Sequence, residues 1–163
     1  MAAVRHLAAP VAALILAVVY AQGFFGVPLK GRDPIARLTA IGFPQVADEI
    51  AALARAQDAP AIVTTSYATT GWLAFYLHPR IAIVQINEEY RWLSAPPPDA
   101  QLLHAPLLFV TQQPQKSLPA VMARFTEVTH LAHLDRARNG ARIDAFDVYR
   151  VSGWRGGVAG REP

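Results

Sequence analysis

The chain has 163 residues, 53% of them apolar and 17% charged, with a formal net charge of +3 from 15 Lys/Arg against 12 Asp/Glu. The basic residues are scattered, not massed in a stripe, which argues against nucleic acid as a partner. There is no cysteine, so a disulfide framework and Cys-ligated zinc are both excluded.

The first predicted element is apolar. Leu7–Val27 (LAAPVAALILAVVYAQGFFGV) runs for 21 residues without a charge, and Gln22 is its one strongly polar side chain. About 20 such residues cover the hydrocarbon core of a bilayer, so residues 1–29 read as a transmembrane helix with its flanks. The competing reading is a cleaved signal peptide, with Arg5 as n-region and Val19-Tyr20-Ala21 before a mature start at Gln22. The apolar stretch continues past that point through Phe24, Phe25 and Val27, which favours the retained helix. Tyr20, Phe24 and Phe25 fall where an aromatic belt would lie. Counting Lys30, Arg32 and Arg37 after the segment against Arg5 before it leans towards a cytoplasmic C-terminal domain.

Residues 30–154 read as one soluble domain. Asp33-Pro34 starts a short helix as cap and first residue. Phe43-Pro44 opens a second, to about Gln57, with Val46, Ile50, Leu53 and Ala54 on one stripe. Ala61–Thr65 is a buried strand, and Thr69–Leu77 a helix burying Trp72, Leu73 and Phe75 or Tyr76. Ile81–Ile86 is the second strand, so the three form a parallel βαβ unit. A polar, aromatic and proline-rich loop fills Asn87–Asp99. Pro106–Gln112 is the third strand, and Ser117 caps a helix through Phe125. Val128–Leu134 and Ile143–Val151 flank Asn139-Gly140, a hairpin turn signal. The tail, residues 155–163, is expected to be disordered. The expected fold is therefore a small three-layer α/β domain whose mostly parallel sheet ends in an antiparallel hairpin, preceded by one transmembrane helix.

Ligands in open α/β sheets gather beyond the C-terminal ends of the strands. Thr64–Tyr67, Asn87–Trp92 and Thr111–Gln113 occupy those ends. Their hydroxyls, amides, carboxylates and aromatic faces suit a sugar or polar headgroup. The ligand-binding candidates are Tyr67, Asn87, Glu88, Arg91 and Trp92; the alternative is that they are turn residues, with Arg91 paired to Glu88 or Glu89. Glu88 and Glu89 are adjacent, so on an extended chain they diverge and make a poor acid/base pair. His130 and His133 would face opposite ways on a strand, which disfavours a metal site. Asp144 and Asp147 read as solvated, or weakly paired with nearby arginines. No Gly-x-Ser-x-Gly frames Ser66 or Ser117, no nucleotide fingerprint follows a strand, and no cofactor is expected.

The order of motifs does resemble a family. The apolar helix, Asp33-Pro34-Ile35-Ala36-Arg37-Leu38, Thr64-Thr65-Ser66-Tyr67 with Leu73-Ala74-Phe75-Tyr76, Gln85–Trp92 and Pro96-Pro97-Pro98 are similar to the C-terminal end of bacterial protein O-mannosyltransferase-like glycosyltransferases. That superfamily includes the aminoarabinose transferases of lipid A. The resemblance covers roughly Leu7 to Trp154. It implies a membrane enzyme using a polyprenyl-phosphate-linked sugar, with this segment its last membrane helix and periplasmic domain, which reverses the orientation leaned to above. The family's catalytic acid lies among membrane helices not present here, so no catalytic residue is carried over. The chain is then expected to be a fragment or accessory domain without its own reaction centre. Its expected partners are membrane lipid, the remaining membrane helices of a transferase, and a glycan or lipid-linked sugar headgroup. The alternative is a stand-alone, single-pass anchored interaction domain.

Overall fold

A computed structural model describes residues 2–25, 36–37, 39–86 and 99–156. The apolar segment forms α1 (Ala2–Phe25), a single helix that runs through Pro10. Within it Leu7–Phe25, 19 residues, is long and apolar enough to cross a membrane, and none of it belongs to the core. At 1.5 Å per residue it is about 28 Å long.

The rest is a mixed α/β domain. In chain order it contains α2 (Phe43–Ala56), β1 (Ala61–Thr64), α3 (Tyr67–Leu77), β2 (Ala82–Gln85), α4 (Ala100–His104), β3 (Leu107–Thr111), α5 (Pro114–Arg124), β4 (Phe125–Arg138) and β5 (Ala141–Trp154). The strands make one sheet in the order β2-β1-β3-β5-β4. β1 pairs in parallel with β2 and β3, whereas β5 runs antiparallel to both β3 and β4.

Side-chain alternation on the central strands builds the layers. Ile62, Leu108 and Val110 face α2 and α3, together with Phe146 and Val148. Ala61, Val63, Leu107 and Phe109 face the other way, where Leu103 of α4 and Val121 of α5 cover them. On α2 the expected stripe is in place, with Val46, Ile50 and Ala54 buried. Phe43 centres the first layer, 4.7 Å from the Trp72 ring and 5.5 Å from those of Tyr76 and Phe146.

Several expectations are corrected. α3 begins at Tyr67, two residues before Thr69, so Tyr67 is helical rather than part of a loop. Leu73 and Leu77 are buried one turn apart, and of Phe75 and Tyr76 it is Tyr76 that packs on the core, while Phe75 is 79% exposed on the opposite side of the helix. α5 starts with Pro114 after the cap residue Gln113, which puts Ser117 inside the first turn instead of at the cap. The short α4 was hidden behind the proline run; Asp99 Oδ1 caps it by accepting the Gln101 N–H at 2.9 Å.

The hairpin strands are 14 residues each, far longer than their apolar cores suggested. β4 is an edge strand, so its outer face carries Thr, His, Asp and Arg that periodicity does not count as strand. Arg138 pairs with Ala141 across a two-residue turn, and both Asn139 and Gly140 have positive φ, 49° and 77°, as a type I′ turn requires.

Gly42 caps α2 with φ at 74°, and a Cβ there would sit 2.6 Å from the Ala137 carbonyl oxygen of β4. Gly42→Ala is expected to cost about 2 kcal/mol or more, from the left-handed backbone and that contact. Gly71 lies inside α3 with nothing near its missing Cβ, so Gly71→Ala should stabilise by about 0.5–1 kcal/mol. Urea unfolding of the two variants checks the opposite signs.

Candidate functional site

The ends of β1 and β3 are built alike. Thr64 Oγ1 and Thr70 Oγ1 are 2.6 Å apart, and the Thr70 hydroxyl also donates to the Ser66 carbonyl at 2.8 Å. At the neighbouring strand Thr111 Oγ1 lies 3.0 Å from Ser117 Oγ and accepts the Gln113 N–H at 3.0 Å. In each case the last threonine of a parallel strand ties down the first turn of the helix that follows. These hydroxyls are structural: Thr64 and Thr111 are buried.

Beside these ends opens a cleft of about 550 Å³. Ala68, Thr69 and Trp72 of α3 form one wall, Gln112–Gln115 another, and the hairpin supplies His133, Arg136, Arg142 and Asp144–Asp147. Arg37 also lines it. The cleft exists because β5 continues beyond the end of β3, whose last residue Thr111 pairs with Asp147. First turns of two helices border it, adding positive potential to that of the arginines.

The histidines correct an expectation. A bulge between His130 and Ala132 gives β4 one extra residue, and this turns His130 and His133 to the same face. His130 Nε2 and His133 Nδ1 lie 3.1 and 3.0 Å from the same oxygen, Asp147 Oδ1. His133 Nε2 in turn lies 3.3 Å from Arg142 Nη2. Arg142 Nε is 2.9 Å from Asp135 Oδ1, so the chain of polar contacts runs Asp147–His133–Arg142–Asp135. Among the described residues no three His, Cys, Asp or Glu side chains are grouped to hold a metal ion.

Asp144 is likewise more than a weakly paired surface acid. Arg136 Nε and Nη2 donate to its two carboxylate oxygens at 2.8 and 2.7 Å, and Arg136 Nη1 donates to the Thr39 carbonyl at 3.1 Å. Arg136 is 1% exposed, and its guanidinium lies 5.0 Å from the centre of the Trp72 ring. A bidentate, desolvated pair stacked on an indole is a strong, geometrically specific contact. A second register shift, between Arg136 and Ala137, sits beside this pair.

Of the five sequence candidates, Tyr67 is described. It stands at the first turn of α3, 48% exposed, next to the cleft-lining Ala68 but not itself in the lining. Asn87, Glu88, Arg91 and Trp92 lie outside the described residues. The residues that sequence reasoning missed are His133, Arg136, Arg142, Asp144 and Asp147. Their signal was the charge-rich flank of the Asn139-Gly140 turn, undervalued because two bulges scramble its simple alternation. No known family model, curated protein or solved structure matches the chain.

Two predictions follow from the geometry. Asp144→Ala leaves Arg136 buried without its carboxylate and should destabilise the domain by about 3–5 kcal/mol, as read by chemical denaturation. For Asp147, burial pushes the carboxyl up, but the hydrogen bonds and charge of His133 and His130 outweigh it and hold it below its ordinary 3.8. A depressed native value means the stabilisation is complete above the ordinary carboxylate range and is lost as pH falls through it. Asp147→Asn should therefore be less stable than wild type at neutral pH, with the gap closing below about pH 4. A gap independent of pH between 7 and 3 would contradict this.

Proposed function

We propose that this chain is the last transmembrane helix and extracytoplasmic domain of a polyprenyl-phosphate-sugar-dependent glycosyltransferase, and that it binds a headgroup without performing chemistry. The domain would stand on the periplasmic face of the inner membrane, with α1 packed among the transferase's other membrane helices. The observation that carries this reading is the coupling of a polar cleft to the end of an apolar helix. Arg138, at the hairpin turn, donates to the terminal carbonyls of α1, and five residues along β4 from it His133 lines the cleft. That separation is about 17 Å of strand, which keeps the cleft within reach of a headgroup that remains anchored in lipid.

The lining suits a sugar. Gln112 and Gln113 offer both donors and acceptors, Arg142 offers donors, and Asp144 and Asp147 offer acceptors. The partly exposed Trp72 ring gives the apolar ground on which a pyranose ring rests. A volume of about 550 Å³ falls in the range of small-molecule sites and would take one or two sugar units. The resemblance of the sequence to the protein O-mannosyltransferase-like superfamily supports the same assignment.

The test uses the full chain in nanodiscs and a short-chain polyprenyl-phosphate hexose, titrated by calorimetry. Replacing Gln113 and Arg142 together by alanine should weaken binding at least about tenfold, or ~1.4 kcal/mol. Unchanged affinity would remove the cleft as the site. The chain alone should transfer no sugar, so product formed from a labelled donor would reject the noncatalytic role.

A further inference from the structure

We propose that the tip of the β4–β5 hairpin is a membrane-contacting element that rests in the phospholipid headgroup layer beside the end of α1. The proposal rests on the reading of α1 as a membrane-spanning helix and adds to it a second point of contact.

The argument begins at the end of the helix. The last carbonyls of a helix have no intrahelical donor and are satisfied by water or by another part of the protein. Here Arg138 supplies the donors: Nη1 to Gln22 O at 3.1 Å, and Nη2 to Gly23 O and Phe24 O at 2.9 and 3.0 Å. The residues beside these carbonyls, Phe24 and Phe25, are 78% and 80% exposed, and aromatic rings at a helix end mark the headgroup level. A side chain that reaches those carbonyls cannot belong to a turn lying far from that level. The neighbouring contact is also made from β4, where Arg136 Nη1 holds the Thr39 carbonyl at 3.1 Å.

The tip suits this position. Asn139 and Gly140 are exposed and form a tight two-residue turn, which presents a narrow end. Arg138, which flanks the turn, is the basic residue of the tip that holds the helix end, and juxtamembrane basic residues are attracted to anionic lipid surfaces. The opposite end of the hairpin, at Phe125, lies 13 residues away along β4, about 40 Å at the rise of a strand.

Because the chain has no cysteine, single probes can be placed cleanly. The experiment labels Ala141→Cys, at the tip, and separately Met122→Cys, on α5 near the far end, with an environment-sensitive fluorophore. Full-length chain is reconstituted into vesicles of phosphatidylcholine and phosphatidylglycerol carrying a headgroup spin label. The expected result is loss of emission from the 141 probe and none from the 122 probe. In Arg138→Ala, the 141 probe should regain emission while the chain still floats with the vesicles. Chain that floats with its 141 probe unquenched overturns the proposal, as does equal quenching at both positions, which would mean the domain lies flat. Chain that fails to float overturns the spanning reading itself, and the proposal with it.

Discussion

Arg136 is the side chain around which the domain is organised. Its guanidinium holds both oxygens of Asp144, reaches the Thr39 carbonyl and lies against Trp72. One buried cation thus connects the edge strand, its hairpin partner, the segment that enters α2 and the first face of the sheet through α3. Burying a charge is unfavourable unless it is paired and hydrogen-bonded, and here two N–H groups go to Asp144, one goes to the Thr39 carbonyl, and the guanidinium face meets Trp72. The consequence is orientation. The far half of the hairpin, which has no β3 beside it, is held against the α2–α3 layer instead of swinging free. That position in turn creates the cleft and brings Arg138 to the end of α1.

The cleft is a product of unequal strand lengths. β3 is five residues long and β5 fourteen, so the hairpin overhangs the strand ends and walls the space that α3 and α5 border. Threonines at the ends of β1 and β3 fix the entry of both helices in the same way, which gives that border a rigid frame. The polar chemistry lies on the hairpin wall, where Asp147, His133, Arg142 and Asp135 form one run of polar contacts. Such a run places acceptors and donors side by side, as recognition of a polyhydroxylated or charged headgroup demands.

The apolar helix meets the domain at a different place from the cleft. The uncharged 19-residue span is long and apolar enough to cross a membrane, and three hydrogen bonds from Arg138 link its end to the domain. Through that link the cleft is held at a short and defined distance from the helix end. The proposals of headgroup binding and of a seated hairpin tip both draw on this coupling, but each concerns its own residues and stands on its own measurement.

Much of the architecture was legible in the residues. The uncharged run of Leu7–Val27, the helical stripe of α2, the β-branched strands and the Asn-Gly turn each obey a local rule of period or turn chemistry, so order and class of elements follow from the chain alone. The site was not legible in the same way. The candidates Tyr67, Asn87, Glu88, Arg91 and Trp92 rest on the tendency of strand ends to collect ligands, whereas the cleft found among the described residues draws on the hairpin. His130 and His133 converge only because a bulge adds a residue, and Arg136 meets Asp144 only through cross-strand register. Alternation by two is a local property, but the number of residues inserted into a ladder is set by how the two strands pack on their neighbours. Local pattern therefore determined which elements exist, while long-range pairing decided which charges face each other and where the domain meets its own apolar helix.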